Sequence, residues 1–271
     1  GKIVLAAVVG ALVLWGLSEY FVRRRRMVAP AIALSILWAM NASAGLSAQL
    51  AEPFMVAQAD YSSLLLPIGL TTVAIALYWL RFRVPFAMAL IALGVFALSL
   101  MMGAIRMGTP ANVSDFFLLS ASGPFAWITL LVGLVVFAVA MFFDMSDPHR
   151  VTRRSAQGFW LHVVAAPALV NTLALSLLES GTGNAYLLLL AVLLLFAAVA
   201  IIIDRRSFLI AAIAYSVTLA GTVFGGDGAA TTVLVLGIFL VTLGAFWTPI
   251  RAALLSPLAR VLPLDRLPPS H

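Results

Sequence analysis

GPFAWITLLVGLVVFAVAMFF (residues 123–143), DMSDPHRVTRRSAQ (144–157) and GFWLHVVAAPALVNTLALSLL (158–178) follow one another without a break. The first and third runs hold no Asp, Glu, Lys or Arg, and each has about the 20 residues that a helix needs to cross a bilayer core. The stretch between them carries two acids, one histidine and three arginines in fourteen residues. Two apolar crossings joined by a short charged turn make a helical hairpin whose charges stay at the water-facing rim.

The same pattern extends in both directions. Of 271 residues, 63% are hydrophobic and 10% charged, where an ordinary soluble domain has roughly 45–50% apolar and 25% charged residues. Mean hydropathy is +1.12. Nine spans are predicted, at 3–21, 28–51, 63–80, 84–105, 123–143, 158–178, 185–203, 207–225 and 229–250. The expected fold is an all-α polytopic transmembrane bundle, with residues 1–251 as one membrane domain and 252–271 as an interfacial cytoplasmic tail.

The turns alternate in charge. Arg23 to Arg26, Arg81 and Arg83, the 144–157 turn, Asp204 to Arg206 and the tail all fall on one side, which collects 14 of the 16 Lys and Arg residues. Only Lys2 and Arg106 lie opposite. With five of the ten acids on each side, the first face carries 14 − 5 = +9 and the second 2 − 5 = −3. The positive-inside rule makes the basic side cytoplasmic. Nine crossings then put the C-terminus inside and the N-terminus outside. A segment upstream of Gly1 is expected, since the chain begins almost directly within a helix. The first span reads as a retained crossing, because no Ala-x-Ala cleavage site follows it and Arg23 to Arg26 reads as a cytoplasmic stop.

Composition excludes several chemistries. There are no cysteines, so no disulfide, thiolate metal site or cysteine nucleophile is possible. Of three histidines only His162 lies within an apolar run, so a haem held by two intramembrane histidines cannot be built by this chain. The sole lysine is Lys2, which leaves no mid-membrane amine for a Schiff base. No Walker or dinucleotide fingerprint occurs. No cofactor, metal or catalytic residue is expected, and the net charge of +6 reflects topology rather than nucleic-acid binding. Every acid and base falls at a span end or in a connection. That distribution argues against buried proton relays and voltage sensing, and leaves transport of neutral substrates open.

Polar groups enter the membrane chiefly in span six. Pro167 frees the Val163 carbonyl, and Asn171 follows one turn on, so a kink beside an amide forms either a binding notch or a simple interhelical bridge. His162 is expected one turn below the cytoplasmic interface, packed against Trp160 and a headgroup, or acting as a titrating relay. Nine residues separate it from Asn171, about 900° of rotation, so the two point to opposite faces of a straight helix. His149, Arg150, Arg153 and Arg154 offer an anionic-lipid or phosphate site, or serve only to hold the turn inside. On span three Thr71, Ala74 and Tyr78 share a face, as do Tyr215, Thr218 and Thr222 on span eight, and both faces should look inward. Asn41, Gly45 and Ala48 form a small-residue stripe on span two. The echo of Arg153-Arg154-Ser155 by Arg205-Arg206-Ser207, each preceded by an Asp (Asp144 and Asp204), reads as what any inward helical hairpin needs, Asp or Ser at its second helix start and Arg beside anionic lipid, or else as duplicated hairpins.

The runs Trp15 to Tyr20 before Arg23 to Arg26, Leu80-Arg81-Phe82-Arg83-Val84-Pro85-Phe86, and Phe143 to Arg154 leading into Phe159-Trp160-Leu161-His162 resemble a family of bacterial multi-pass proteins described as predicted membrane proteins of unknown function. The resemblance implies the bacterial inner membrane and no catalysis, and in that family a cytosolic segment often precedes the first span. Three functional expectations follow. One is a transporter or permeation protein for a neutral or lipid-like substrate, lined by His162, Pro167, Asn171, Tyr215 and Thr218. The second is a non-catalytic scaffold or complex subunit, with a protein partner or a second copy of itself beside membrane lipid. The third is an interfacial enzyme on lipid headgroups, with His149 or His162 as base and Asp144 or Asp147 as its orienter.

Overall fold

In hydrocarbon a backbone N–H or C=O has no water to bond, so a spanning segment pairs its polar groups internally. The computed structural model describes residues 2–53, 60–109, 112–119, 123–180, 184–205, 234, 237–238, 241–258 and 267–268. Among them all regular structure is helical. Six helical segments are long and apolar enough to cross a membrane: Lys2–Arg24, Val28–Leu50, Ser62–Phe82, Ala87–Met107, Phe125–Met145 and Arg153–Glu179. This is a helical membrane protein. A seventh apolar helix, Ala185–Ile202, is shorter in its apolar stretch. Span eight, with Tyr215, Thr218 and Thr222, and part of span nine lie outside the described residues.

The chain forms two compact units, residues 1–116 with 122–132, and residues 117–121 with 133–271. In the first unit α1 (Lys2–Ser18) runs on as a π-helix, Glu19–Arg24, and is followed by α2 (Val28–Leu50), α3 (Leu65–Phe82) and α4 (Ala87–Met107). Sequential helices pack on one another. The expected small-residue stripe on α2 is where α1 approaches. A Cβ on Gly45 would stand 2.5 Å from the Ala7 Cβ, and one on Gly10 would stand 2.6 Å from Asn41 Oδ1. The Asn41 amide uses that closeness to donate to the Ala7 carbonyl at 2.9 Å. At the basic end Trp15, Trp38, Tyr78 and Phe82 form a contiguous aromatic cluster. Inside it the Ser18 and Tyr78 hydroxyls meet at 2.9 Å, while Trp38 Nε1 donates to Ala74 O at 3.0 Å. The Thr71, Ala74, Tyr78 face of α3 therefore does look inward.

The second unit takes the rest of α5 (Phe125–Met145), then α6 (Arg153–Glu179), α7 (Ala185–Ile202) and α8 (Trp247–Leu258). α6 is its centre, burying Leu161, Ala165, Ala166, Ala168, Leu169 and Val170. Small side chains there let neighbours come close: a Cβ on Gly133 of α5 would lie 3.2 Å from Ala168 Cβ. At the other end Ser176 ties in the preceding connection, accepting from Leu119 N at 2.9 Å and donating to Phe117 O at 3.2 Å. α8 runs through residue 252, so the first part of the expected tail continues a helix.

The four basic turns share one backbone device. Arg26, Arg83, Arg150 and Asp204 all have φ of 54–55°, the left-handed conformation that commonly ends a helix and usually falls to glycine. An L side chain there costs about 1–2 kcal/mol. In three of the four turns the position holds an arginine instead, and Arg83 is the C-cap of α3, where its cation stands at the negative end of the helix dipole.

Candidate functional site

The turn after α5 explains how its side chains converge. Asp147 accepts from Val151 N at 3.1 Å, Thr152 N at 2.9 Å and Thr152 Oγ1 at 2.7 Å. Burial pushes its carboxyl up, but these hydrogen bonds outweigh burial and hold it below the ordinary carboxylate value. Thr152 Oγ1 in turn accepts from Arg154 N at 3.2 Å and caps α6. The helix therefore starts at Arg153, ahead of the apolar run that begins at Gly158. The expected fourteen-residue connection contracts to residues 146–152, and Arg153 and Arg154 stand in a helical first turn. Asp144 is not a cap: it belongs to the last turn of α5.

On α6, Ser155, Gly158 and His162 recur at i, i+3 and i+7, one face of the helix, and all three are buried. Gly158 is required by close approach, since a Cβ there would strike Asp144 Oδ1 and lie 3.2 Å from the Ala140 carbonyl. With that face bare, His162 Nε2 reaches Asp144 Oδ2 at 2.9 Å. Arg205 completes the cluster. Its Nε donates to Asp144 Oδ2 at 2.9 Å, and one terminal nitrogen donates to Asp144 Oδ1, to Ser155 O at 2.8 Å and to Ser155 Oγ at 3.3 Å.

Arg205 is aimed by the end of α7. Its N–H returns to Ala200 O at 2.8 Å and that of Asp204 to Ile201 O at 3.2 Å, the paired bonds of a Schellman motif around the left-handed Asp204. Arg251 covers carbonyls left over at the same helix end, donating to Ile201 O at 3.0 Å and Ile202 O at 3.3 Å. It also donates to Pro268 O at 2.6 Å. The Asp204 carboxylate accepts from Arg150 Nη1 at 2.8 Å and from Trp247 Nε1 at 2.7 Å.

Asp144 is 5% exposed, Arg205 6% and His162 0%. A carboxylate paired with a guanidinium can only accept, so His162 donates through Nε2. The sequence reading put His162 at the interface against a headgroup and Asp144 in a solvated turn. The structure buries both, because the Asp144 charge is met by Arg205 and Gly158 lets the histidine helix close over it. The supposed echo of Asp144 by Asp204 also fails as geometry, since Asp144 is helical and buried while Asp204 is a left-handed residue beyond a helix end. Chemically the cluster joins α5, α6 and the residues following α7 through a bidentate charged pair. Among the described residues no three His, Asp or Glu side chains gather as metal ligands.

Of the other predicted site residues, Tyr215 and Thr218 lie outside the described residues. Pro167 lies outside the packed face of α6, and Asn171 is half-buried. His149, Arg153 and Arg154 are exposed, as a headgroup site needs, whereas Arg150 is engaged with Asp204. No family model, curated protein or solved structure matches this chain.

The described polar lining lies instead in the first unit. A groove of about 580 Å³ runs between α2, α3 and α4, carrying the hydroxyls of Ser43, Ser47, Thr71 and Thr72 among apolar walls and no ionisable group. Thr72 Oγ1 donates to Ile68 O at 2.8 Å. Thr71 Oγ1 is buried and finds no partner among the described residues. Sequence reasoning singled out Thr71 but placed the lining in spans six and eight. It named Arg205 and Ser155 only as part of the turn echo and not as site residues, although the Ser155, Gly158, His162 spacing was a usable signal.

Proposed function

We propose that the chain is a multi-pass protein of the bacterial inner membrane that takes a neutral, lipid-like molecule into the α2–α3–α4 groove and passes it across or along the bilayer. The observation that carries this reading is the buried Thr71 hydroxyl, without a partner among the described residues, in an uncharged groove whose other polar groups are the hydroxyls of Ser43, Ser47 and Thr72. Leaving such a group unbonded costs about 1–3 kcal/mol, which a ligand hydroxyl or ester oxygen would recover. The groove falls within the size range of small-molecule sites, and its uncharged lining selects against ions. The test uses a fluorescent diacylglycerol with the full chain in vesicles. Thr71→Val is expected to weaken binding about fivefold and Thr71→Leu, which fills the groove, to abolish both binding and transfer. Unchanged transfer in Thr71→Leu rejects the proposal.

The nine-span count, an external N-terminus and a cytoplasmic C-terminus belong to the same proposal, supported by the 14 of 16 Lys and Arg residues on one side. So does membership of the bacterial family that the turn motifs resemble. In a chain with no native cysteine, single cysteines at His149 and Ser256 should be labelled from the cytoplasm and one at Glu52 from outside. The exposed His149, Arg153 and Arg154 would meet anionic headgroups or a docking subunit.

One contact favours a second reading, an enzyme on lipid headgroups with His162 as base and Asp144 as orienter: their 2.9 Å separation. It needs the imidazole to open to the interface. His162→Gln would then abolish turnover of a phospholipid substrate while leaving diacylglycerol transfer intact.

A further inference from the structure

A second groove in the first unit differs from the neutral one in carrying a cation. About 520 Å³ of space lies between the later turns of α4 and the first turns of α5, walled by Met102, Gly103, Ile128 and Leu131, with Arg106 at one end. The two helices nearly touch at Gly103, where a Cβ would stand 2.8 Å from Ile128 Cδ1. From Ser99 to Met107 the groove follows about 12 Å of α4.

Arg106 is in an unusual place. α4 begins just after the Arg81 and Arg83 turn and carries Arg106 in its last turn, so this guanidinium stands at the opposite end of the helix from that basic turn. It is exposed, and among the described residues it makes no ion pair or hydrogen bond. Two acids of the first unit at that end bond their own turns, Asp60 accepting from Ser62 N at 2.9 Å and Asp115 from Asn112 N at 3.0 Å. An unspent cation above an apolar trough is complementary to one kind of molecule, an anion with a hydrocarbon tail.

We infer that the α4–α5 groove binds an anionic phospholipid, its phosphate on Arg106 and one acyl chain along Gly103, Ile128 and Leu131. The site shares no residue with the α2–α3–α4 groove and does not depend on the function proposed for it.

The test is native mass spectrometry of the full chain in detergent, titrated with phosphatidylglycerol, phosphatidylcholine or inorganic phosphate. Phosphatidylglycerol should bind at least tenfold more tightly than phosphatidylcholine. Arg106→Gln should remove that preference, a loss of about tenfold, while Arg106→Lys restores part of it and Arg83→Gln, at the far end of α4, leaves it unchanged. Ser99→Leu, which narrows the trough, should weaken both lipids. Equal phosphatidylglycerol binding by Arg106→Gln and the parent chain overturns the inference, as does an equal loss in Arg83→Gln. Displacement of the lipid by inorganic phosphate alone would show a free-anion site instead, and would overturn the assignment to lipid.

Discussion

Glu19 and Asp144 each stand where an apolar helix reaches its basic turn, and each meets an arginine, yet they belong to different worlds. Glu19, in the first unit, keeps 34% of its side chain exposed while it pairs with Arg23 at 3.1 Å and Arg81 at 2.6 Å. Asp144, in the second, keeps 6% and is enclosed by Arg205 and His162. The first unit is held at this level by rings and hydroxyls, with its ion pairs left outside. In the second unit the charge is part of the core. Exposed pairs are worth about 0–1 kcal/mol because water and salt screen them. A buried pair gains little over a well-packed apolar replacement, but losing one partner leaves a naked charge and costs about 3–5 kcal/mol. The lesson is that an acid at a span end says nothing by itself about energetic weight. What packs over it decides.

Three measurements sharpen or break that contrast. The largest effect is expected at Asp144. Asp144→Ala should lose about 3–5 kcal/mol of stability by stranding Arg205, read as a fall in unfolding midpoint in detergent. Adding Arg205→Met should recover much of the loss. If the single variant unfolds like the parent, the buried cluster is no more important than the surface one.

An intermediate effect belongs to Asp147 and carries a pH signature. Its hydrogen bonds to Val151 and Thr152 keep its carboxyl below the ordinary value, so the folded state favours the ionised form. That contribution is complete above the unfolded pKa of about 3.9 and fades as pH falls from there through the folded value. Asp147→Ala should therefore cost about 1–2 kcal/mol at pH 7, and the difference from the parent should shrink as the medium is acidified below pH 4. A gap that stays constant down to pH 2 would mean that the ionised carboxylate is not what organises the turn. The smallest effect is at Glu19. Glu19→Gln should change stability by less than about 1 kcal/mol, and 1 M salt should erase even that.

Much of the helical framework was legible residue by residue. The expected spans 28–51, 63–80, 84–105 and 123–143 fall within a few residues of α2, α3, α4 and α5, because a run of about 20 apolar residues has only one stable backbone form in lipid. The start of α6 was misplaced at Gly158 for an instructive reason. Hydropathy stops at polar residues, whereas a helix stops where its N–H groups find a cap, and Thr152 with Asp147 supplies that cap ahead of the apolar run. The groove was half legible. The Thr71, Ala74, Tyr78 face pointed the right way, but Ser43 and Ser47 drew no notice, and the expected companions Pro167 and Asn171 belong to α6 of the second unit.

From the amino-acid order alone came the solvent and most of the described helices, since each is set within a window of about 20 neighbouring residues. Which charges were buried could not be read there. Asp144, His162 and Arg205 are 18 and 61 positions apart along the chain when counted from the aspartate, and their meeting depends on a bare glycine face, a threonine cap and a left-handed residue acting together. Desolvation is a property of everything that surrounds an atom. Only the folded arrangement could turn an acid at the water's edge into the core of a helix junction.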